Sequence, residues 1–402
     1  MAVPFSAADL TSAASALNAV TARTMSTSSG GDASAGESGN AAKLEKVWEK
    51  VREVDAEAWL ATFDGHTPRS ITVPLSREAA LALRDARNAS EDELVGQEVL
   101  AELAAEIDAA CEALGTREVF VKASSRSPKD ATLATEQLLA DAWQLLGSRD
   151  YAESTGVLLV GTPGSGGADD LELRNEVDNA IVAALLQGAV TSMKVTSGAA
   201  ALALLAASER IAEDIQLELD VASARTGDFS MGVIVREFVP MQAHLEFRGF
   251  VVDGHLTALS QYNHVVCYPA VVADADMYRD VIVDFYNDVI RDKLVAAGFT
   301  SVVIDFALVP NPNIADFGAE PFDVLVIELN PYRSYEGNGT DACLFDWSAD
   351  RGVLEPDAPP AGPDDVAFRV RSAALPNVAA TLNVSASELV AAIRNQLLSC
   401  PR

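Results

Sequence analysis

The sequence predicts an α+β fold, antiparallel sheets with flanking helices, and three observations predict it. Residues 229–264 hold three strand-like runs, "FSMGVIVREFVP", "HLEFRGFVVDG" and "HLTALSQYNH". A tight Asp253-Gly254 turn joins the second and third as a hairpin. A later pair, "SVVIDFALV" and "DVLVIEL", flanks a loop of roughly a dozen residues, short enough that antiparallel pairing is the default. Long helix-patterned segments precede these strands, and 402 residues suffice for two packed domains.

Residues 1–42 are rich in Ala, Ser, Gly and Thr and read as a disordered leader, with an organelle transit peptide as the alternative. Their only basic residue is Arg23, which is poor for a transit signal. A first lobe spans 43–230. It opens with a helical period through Leu44, Val47, Val51 and Val54, then the extended "SITVPL". Two helices follow over 76–115, divided at Asn88–Ser90; Ser90 caps the second and Gly115 stops it. "REVFVK" is a strand, followed by a polar loop and a helix start after Pro128. Residues 132–225 are mostly helical. The glycines of "GVLLVGTPGSGGADD" lack the Gly-Lys-Ser/Thr ending of a phosphate loop and read as a connection. A second lobe spans 231–350, with an amphipathic helix at 274–298 apolar at Ile282, Phe285, Tyr286, Val289 and Ile290. Residues 351–402 form a linker and a tail helix.

A formal charge of -30 disfavours broad nucleic-acid or acidic-membrane binding, though local cations can still hold a nucleotide's phosphates. No apolar run approaches the roughly 20 residues of a membrane span. Cys111, Cys267, Cys343 and Cys400 are far apart, which suits reduced thiols in a cytoplasmic protein. His264 and Cys267 are the nearest metal-like pair. No further ligand follows them at suitable spacing, so they read as unrelated residues after a strand.

The chemistry concentrates in the later strands. Side-chain alternation puts Glu328 and Asn330 on one strand face, and antiparallel pairing brings Asp305 within about two residues of Glu328. Three oxygen ligands of this kind suit Mg²⁺ that also holds phosphates; the other reading is carboxylates that sit on a solvated face or pair with lysines. A carboxylate flanked by apolar residues, as in "VVIDFALV", favours the ligand reading, because an unpartnered buried charge is costly. Lys122, at a strand end, is placed to meet an anion. Arg248 can hold a phosphate bidentately, or a carboxylate such as Glu246. Backbone groups around Glu237, Phe238 and Val239 suit an adenine edge, with Phe238 on its face.

A strand lysine, a "VREFV" hinge, an Arg-bearing strand, then Asp, then Glu-x-Asn resembles the ATP-grasp arrangement. "WLATFDGHTPRSITVPL", "VFVKASSRSPKDA", "IVREFVP", "LEFRGFVVDGHLTALSQYNH", "VVIDFALV", "VLVIELNPY" and "CLFDW" follow the order of the cell division cycle protein 123 family over roughly residues 55–350. The resemblance implies an ATP-grasp-like fold with the nucleotide between two lobes. It also implies Lys122 on ATP phosphates, Arg236 to Val239 around adenine, and Arg248 on phosphate or substrate. Asp305, Glu328 and Asn330 would then hold Mg²⁺. "ASSRS" departs from the aromatic stretch usual after the lysine, Glu328 stands where Asp is commoner, and 140–195 looks like an insertion.

The family looks devoted to assembling eukaryotic translation initiation factor 2 through its gamma subunit. The resemblance therefore implies a monomeric Mg-ATP-binding assembly chaperone. An ATP-grasp enzyme acting on an unknown acceptor would use the same residues. Ser260, Gln261 and Arg333 are candidates to face such an acceptor.

Overall fold

A computed structural model describes residues 46, 48–87, 89–131, 136–157, 171–225, 229–311, 321–332, 340–381, 390, 391, 393–395 and 397. The leader, the glycine-rich run after Val157, Arg333, Cys400 and the expected cap of the tail helix lie outside them. Strands β1 (Ser70–Leu75), β2 (Val119–Ala123) and β3 (Met231–Glu237) make an antiparallel sheet in the order β1-β3-β2. The second sheet comprises β4 (Glu246–Val252), β5 (His255–Gln261), β6 (Val302–Pro310), β7 (Phe322–Pro331) and β8 (Ala367–Arg369), in the order β7-β6-β4-β5-β8. Only β8 runs parallel to its neighbour, β5. The α+β class with antiparallel sheets and flanking helices is therefore the class found.

Local chemistry explains the boundaries. Asp253 and Gly254, at φ 50° and 75°, turn β4 into β5 through the left-handed conformation that Gly adopts freely and Asp tolerates. Ser90 begins its helix with a full capping box: its hydroxyl accepts from Glu93 N–H, and Glu93 accepts from Ser90 N–H at 2.8 Å. Gly115 ends the following helix at φ 73°. The single second helix expected over 90–114 is two, Glu91–Val95 and Glu98–Leu114, because the chain breaks at Gly96 and Gln97.

Each sheet has its own core. Around the first, Leu100, Leu103 and Ile107 of helix Glu98–Leu114 pack with Val121, Val233, Val235 and Leu202. Helix Gly198–Ala207 crosses so closely that a Cβ at Gly198 would lie 2.0 Å from Ala104 O. Under the second sheet, Phe247, Ile304, Phe306 and Val326 meet Ile282, Tyr286 and Ile290, whose spacing follows the amphipathic pattern read from the sequence. A wide π turn at Tyr286–Ile290 lies within that helix. Helices Glu136–Leu146 and Leu171–Ser192 join this core, as do Val390 and Ile393.

The opposite face of the second sheet divides in two. Phe250, Val303, Tyr332 and Phe345 build a small aromatic cluster with Trp347. Beyond it, alternation turns Arg248 and Asp305 onto the same face, while Phe247, Ile304 and Phe306 enter the large core. Among the described residues no helix is long and apolar enough to cross a membrane.

Candidate functional site

Register places one polar row across the whole second sheet. Glu328 stands opposite Asp305, Asp305 opposite Arg248, Arg248 opposite Ser260, and Ser260 opposite Arg369. Asp305 stands directly opposite Glu328, inside the roughly two-residue window that the sequence allows. Just beyond, a bulge leaves Ile327 out of register, so Phe306 faces Val326. The bulge turns the Ile327 carbonyl toward a side chain of the first sheet: Arg236 Nη1 donates to it at 2.9 Å.

Asp305, 1% exposed, accepts two parallel bonds from Arg248 Nε and Nη2, each 2.8 Å, and a third from Asn330 Nδ2 at 3.1 Å. This fork geometry is the strong form of a carboxylate–guanidinium pair, and it holds the Arg248 cation far above its ordinary range despite burial. Arg248 also donates to Asp341 O at 2.8 Å. Its carboxylate partner is thus Asp305 and not Glu246. Lys122 reaches from β2 to Glu328 Oε1, so a cation of the first sheet is paired with a carboxylate of the second.

A cleft opens between the sheets. Its lining includes Lys122, Lys129, Arg236 to Val239, Glu246 and Glu328. Burial alone would raise the Glu328 carboxyl, but Lys122 and Lys129 outweigh it and hold it at about 2. Burial pushes Glu246 up to about 7 although Lys129 Nζ lies 4.0 Å away. Burial pulls Arg236 down to about 10, and its Nη2 is buried with no hydrogen-bond partner among the described residues. Tyr262 lies close to two cations, with Lys129 Nζ at 4.6 Å and the Arg248 guanidinium at 5.0 Å from its ring centroid. Its hydroxyl accepts from Lys129 at 2.8 Å and is pushed up to about 12 by burial.

The nine residues singled out in the sequence fall into two connected groups. Arg248, Asp305, Glu328 and Asn330 share the sheet face, with Lys122 joined through Glu328. Arg236, Glu237, Phe238 and Val239 line the cleft beside them. The N–H groups of Glu237 and Phe238 donate to Arg69 O and Glu118 O, at 2.8 and 3.1 Å, and Val239 O already accepts from Met241 N–H at 2.7 Å, which leaves its second lone pair for a ligand. Sequence reasoning missed Lys129 and Tyr262 and gave Glu246 only as a partner for Arg248. Lys129 sits in a polar loop with no periodicity; for Glu246, the alternation that puts it on Arg248's face was the available signal.

A family model for D123 matches residues 183–388, just over half of the 402. The chain belongs to the D123 family. This bears out the resemblance to the cell division cycle protein 123 family. The matched stretch contains Arg236, Arg248, Asp305, Glu328 and Asn330, while Lys122 precedes it. C-terminally truncated Cdc123 from Schizosaccharomyces pombe is similar in fold, with a TM-score of 0.51 at 19% identity over 81% of this chain and 98% of its own. The structure of Cdc123 from the same organism aligns at a TM-score of 0.49 and 20% identity, over 80% and 97% of the two chains. No curated protein matches the sequence.

Proposed function

We propose that this chain binds ATP with Mg²⁺ in the cleft between its sheets. In this reading it acts as an assembly factor for eukaryotic translation initiation factor 2, engaging the gamma subunit. The observation that carries the nucleotide reading is the meeting of both sheets' charged residues at one cleft, lined also by Arg236, whose buried Nη2 has no hydrogen-bond partner among the described residues. A buried donor without a partner costs roughly 1–3 kcal/mol, which a ligand acceptor would recover.

The donor chemistry fits the cation. Asp305, Glu328 and Asn330 are hard oxygen donors on one sheet face, the kind Mg²⁺ takes when phosphates complete its shell. Bound there, the ion would neutralise phosphate charge. Lys122 and Lys129 would meet the phosphates, and the Val239 end of the hinge would take the adenine edge. Family membership supports the assembly role, and the acidic surface suits a basic partner surface. Calorimetry with Mg-ATP on the wild type and Asp305→Ala tests the site: binding should be lost in the variant, and unchanged affinity would refute it. Pull-down of the gamma subunit with and without ATP tests the role.

Glu246 favours a second reading. A buried, cleft-facing carboxyl that titrates at about 7 is a suitable acid–base group for an ATP-grasp enzyme. ATP consumption stimulated by a small acceptor, with no gamma-subunit association, would select that reading.

A further inference from the structure

His264, Asp341 and Cys343 converge beside the polar row, although 77 residues separate the first two (341 − 264). One ligand atom of each lies within 4.8 Å of the others, and His264 Nδ1 stands 4.0 Å from Asp341 Oδ2. Tetrahedral bonds of about 2.0–2.3 Å set ligand atoms roughly 3.3–3.8 Å apart, so small rotamer adjustments close this triad on one ion. The backbone around the three residues is already tied down. Asp341 O accepts from Arg248 at 2.8 Å, Cys343 N–H donates to Asp341 Oδ1 at 2.9 Å, and Arg371 Nε donates to His264 O. Cys343 takes φ 55°, a conformation uncommon for a side chain other than Gly or Asn, which aims its sulfur back toward Tyr262 O at 3.6 Å.

We propose that His264, Asp341 and Cys343 form a transition-metal site, selective for Zn²⁺ over Mg²⁺. Imidazole nitrogen, carboxylate oxygen and thiolate sulfur are a Zn²⁺ donor set, and the sulfur excludes the harder ion. Three protein ligands leave a fourth position for water or a partner's side chain. All three side chains are partly exposed, so an ion has access. Two cations stand close: Arg248 is neutralised by its fork to Asp305, and Arg371 donates to a backbone carbonyl. The proposal is independent of the nucleotide reading, because it uses none of Lys122, Asp305, Glu328 or Asn330.

The test uses the full chain, stripped of metal and titrated with Zn²⁺ against a chromophoric chelator. Stoichiometric binding that excess Mg²⁺ does not reverse is expected. Co²⁺ in place of Zn²⁺ should give a thiolate-to-cobalt absorption band. Cys343→Ser should abolish that band and weaken Zn²⁺ at least roughly tenfold, with His264→Ala weakening it similarly. In the wild type, Zn²⁺ should also protect Cys343 from alkylation, read by peptide mass spectrometry, a measurement that needs no variant to fold. Absence of stoichiometric Zn²⁺, unprotected Cys343, or a cobalt band that survives in Cys343→Ser would overturn the site.

Discussion

Lys122 and Glu328 stand 206 positions apart and on different sheets, yet their side chains form a largely buried ion pair. Removing one partner of such a pair strands the other's charge, which costs about 3 kcal/mol or more. Lys122→Met should lower the free energy of unfolding in urea by that amount. Lys122→Met combined with Glu328→Leu should recover most of the loss, since no charge is then left alone. Mg-ATP binding should stay absent in the double variant, which separates the pair's ligand role from its part in joining the sheets.

Arg236 behaves differently. It donates to Ile327 O and Ser70 Oγ, but its unpartnered Nη2 offsets those gains. Arg236→Met should therefore change unfolding stability by no more than about 1 kcal/mol while weakening Mg-ATP at least roughly tenfold by calorimetry. A large stability loss with intact binding would show that the residue serves the fold alone.

Two of the cleft carboxylates, Glu246 and Glu328, predict opposite responses to pH. Glu246 titrates at about 7 in the folded chain against an ordinary 4.5, so the folded state holds its proton more tightly. Its contribution is full below about 4.5 and is lost as pH rises through about 7. Glu328, lowered from 4.5 to about 2, contributes above about 4.5 and loses that contribution as pH falls toward 2. Glu246→Gln should remove the fall in stability between about pH 4.5 and 7, a difference on the order of 2–3 kcal/mol at pH 8. Unfolding curves across that range check it.

Gly198 gives a test of packing alone. A methyl group there would meet Ala104 O at 2.0 Å, and the Gly198 N–H donates to Asp108 Oδ1 at 2.8 Å. Gly198→Ala must push helix Gly198–Ala207 off its neighbour, at a cost of about 2 kcal/mol or more. Thermal unfolding should show it, with Mg-ATP affinity of the folded variant unchanged.

Much of the fold was legible in local pattern. Strand-like runs marked seven of the eight described strands; β8 escaped because the three residues Ala367–Arg369 are too few to show a period. The Asp305–Glu328 pairing was readable because a short loop and a two-residue period leave little freedom of register. Arg248 beside Asp305 was not: nothing in the sequence says that β4 inserts between β5 and β6 rather than at an edge.

By itself, the sequence determined the elements, their polarity, and which residues share a strand face, because those follow from backbone period and turn chemistry acting over a few residues. Only the tertiary structure decided which charges meet. Whether Lys122 finds Glu328, whether Arg248 takes Asp305 over Glu246, and whether His264 approaches Asp341 and Cys343 depend on how two sheets close on one another. Burial and the neighbouring cations together then set the charge states: the same carboxyl chemistry titrates at about 2 in Glu328, where the cations win, and about 7 in Glu246, where burial wins.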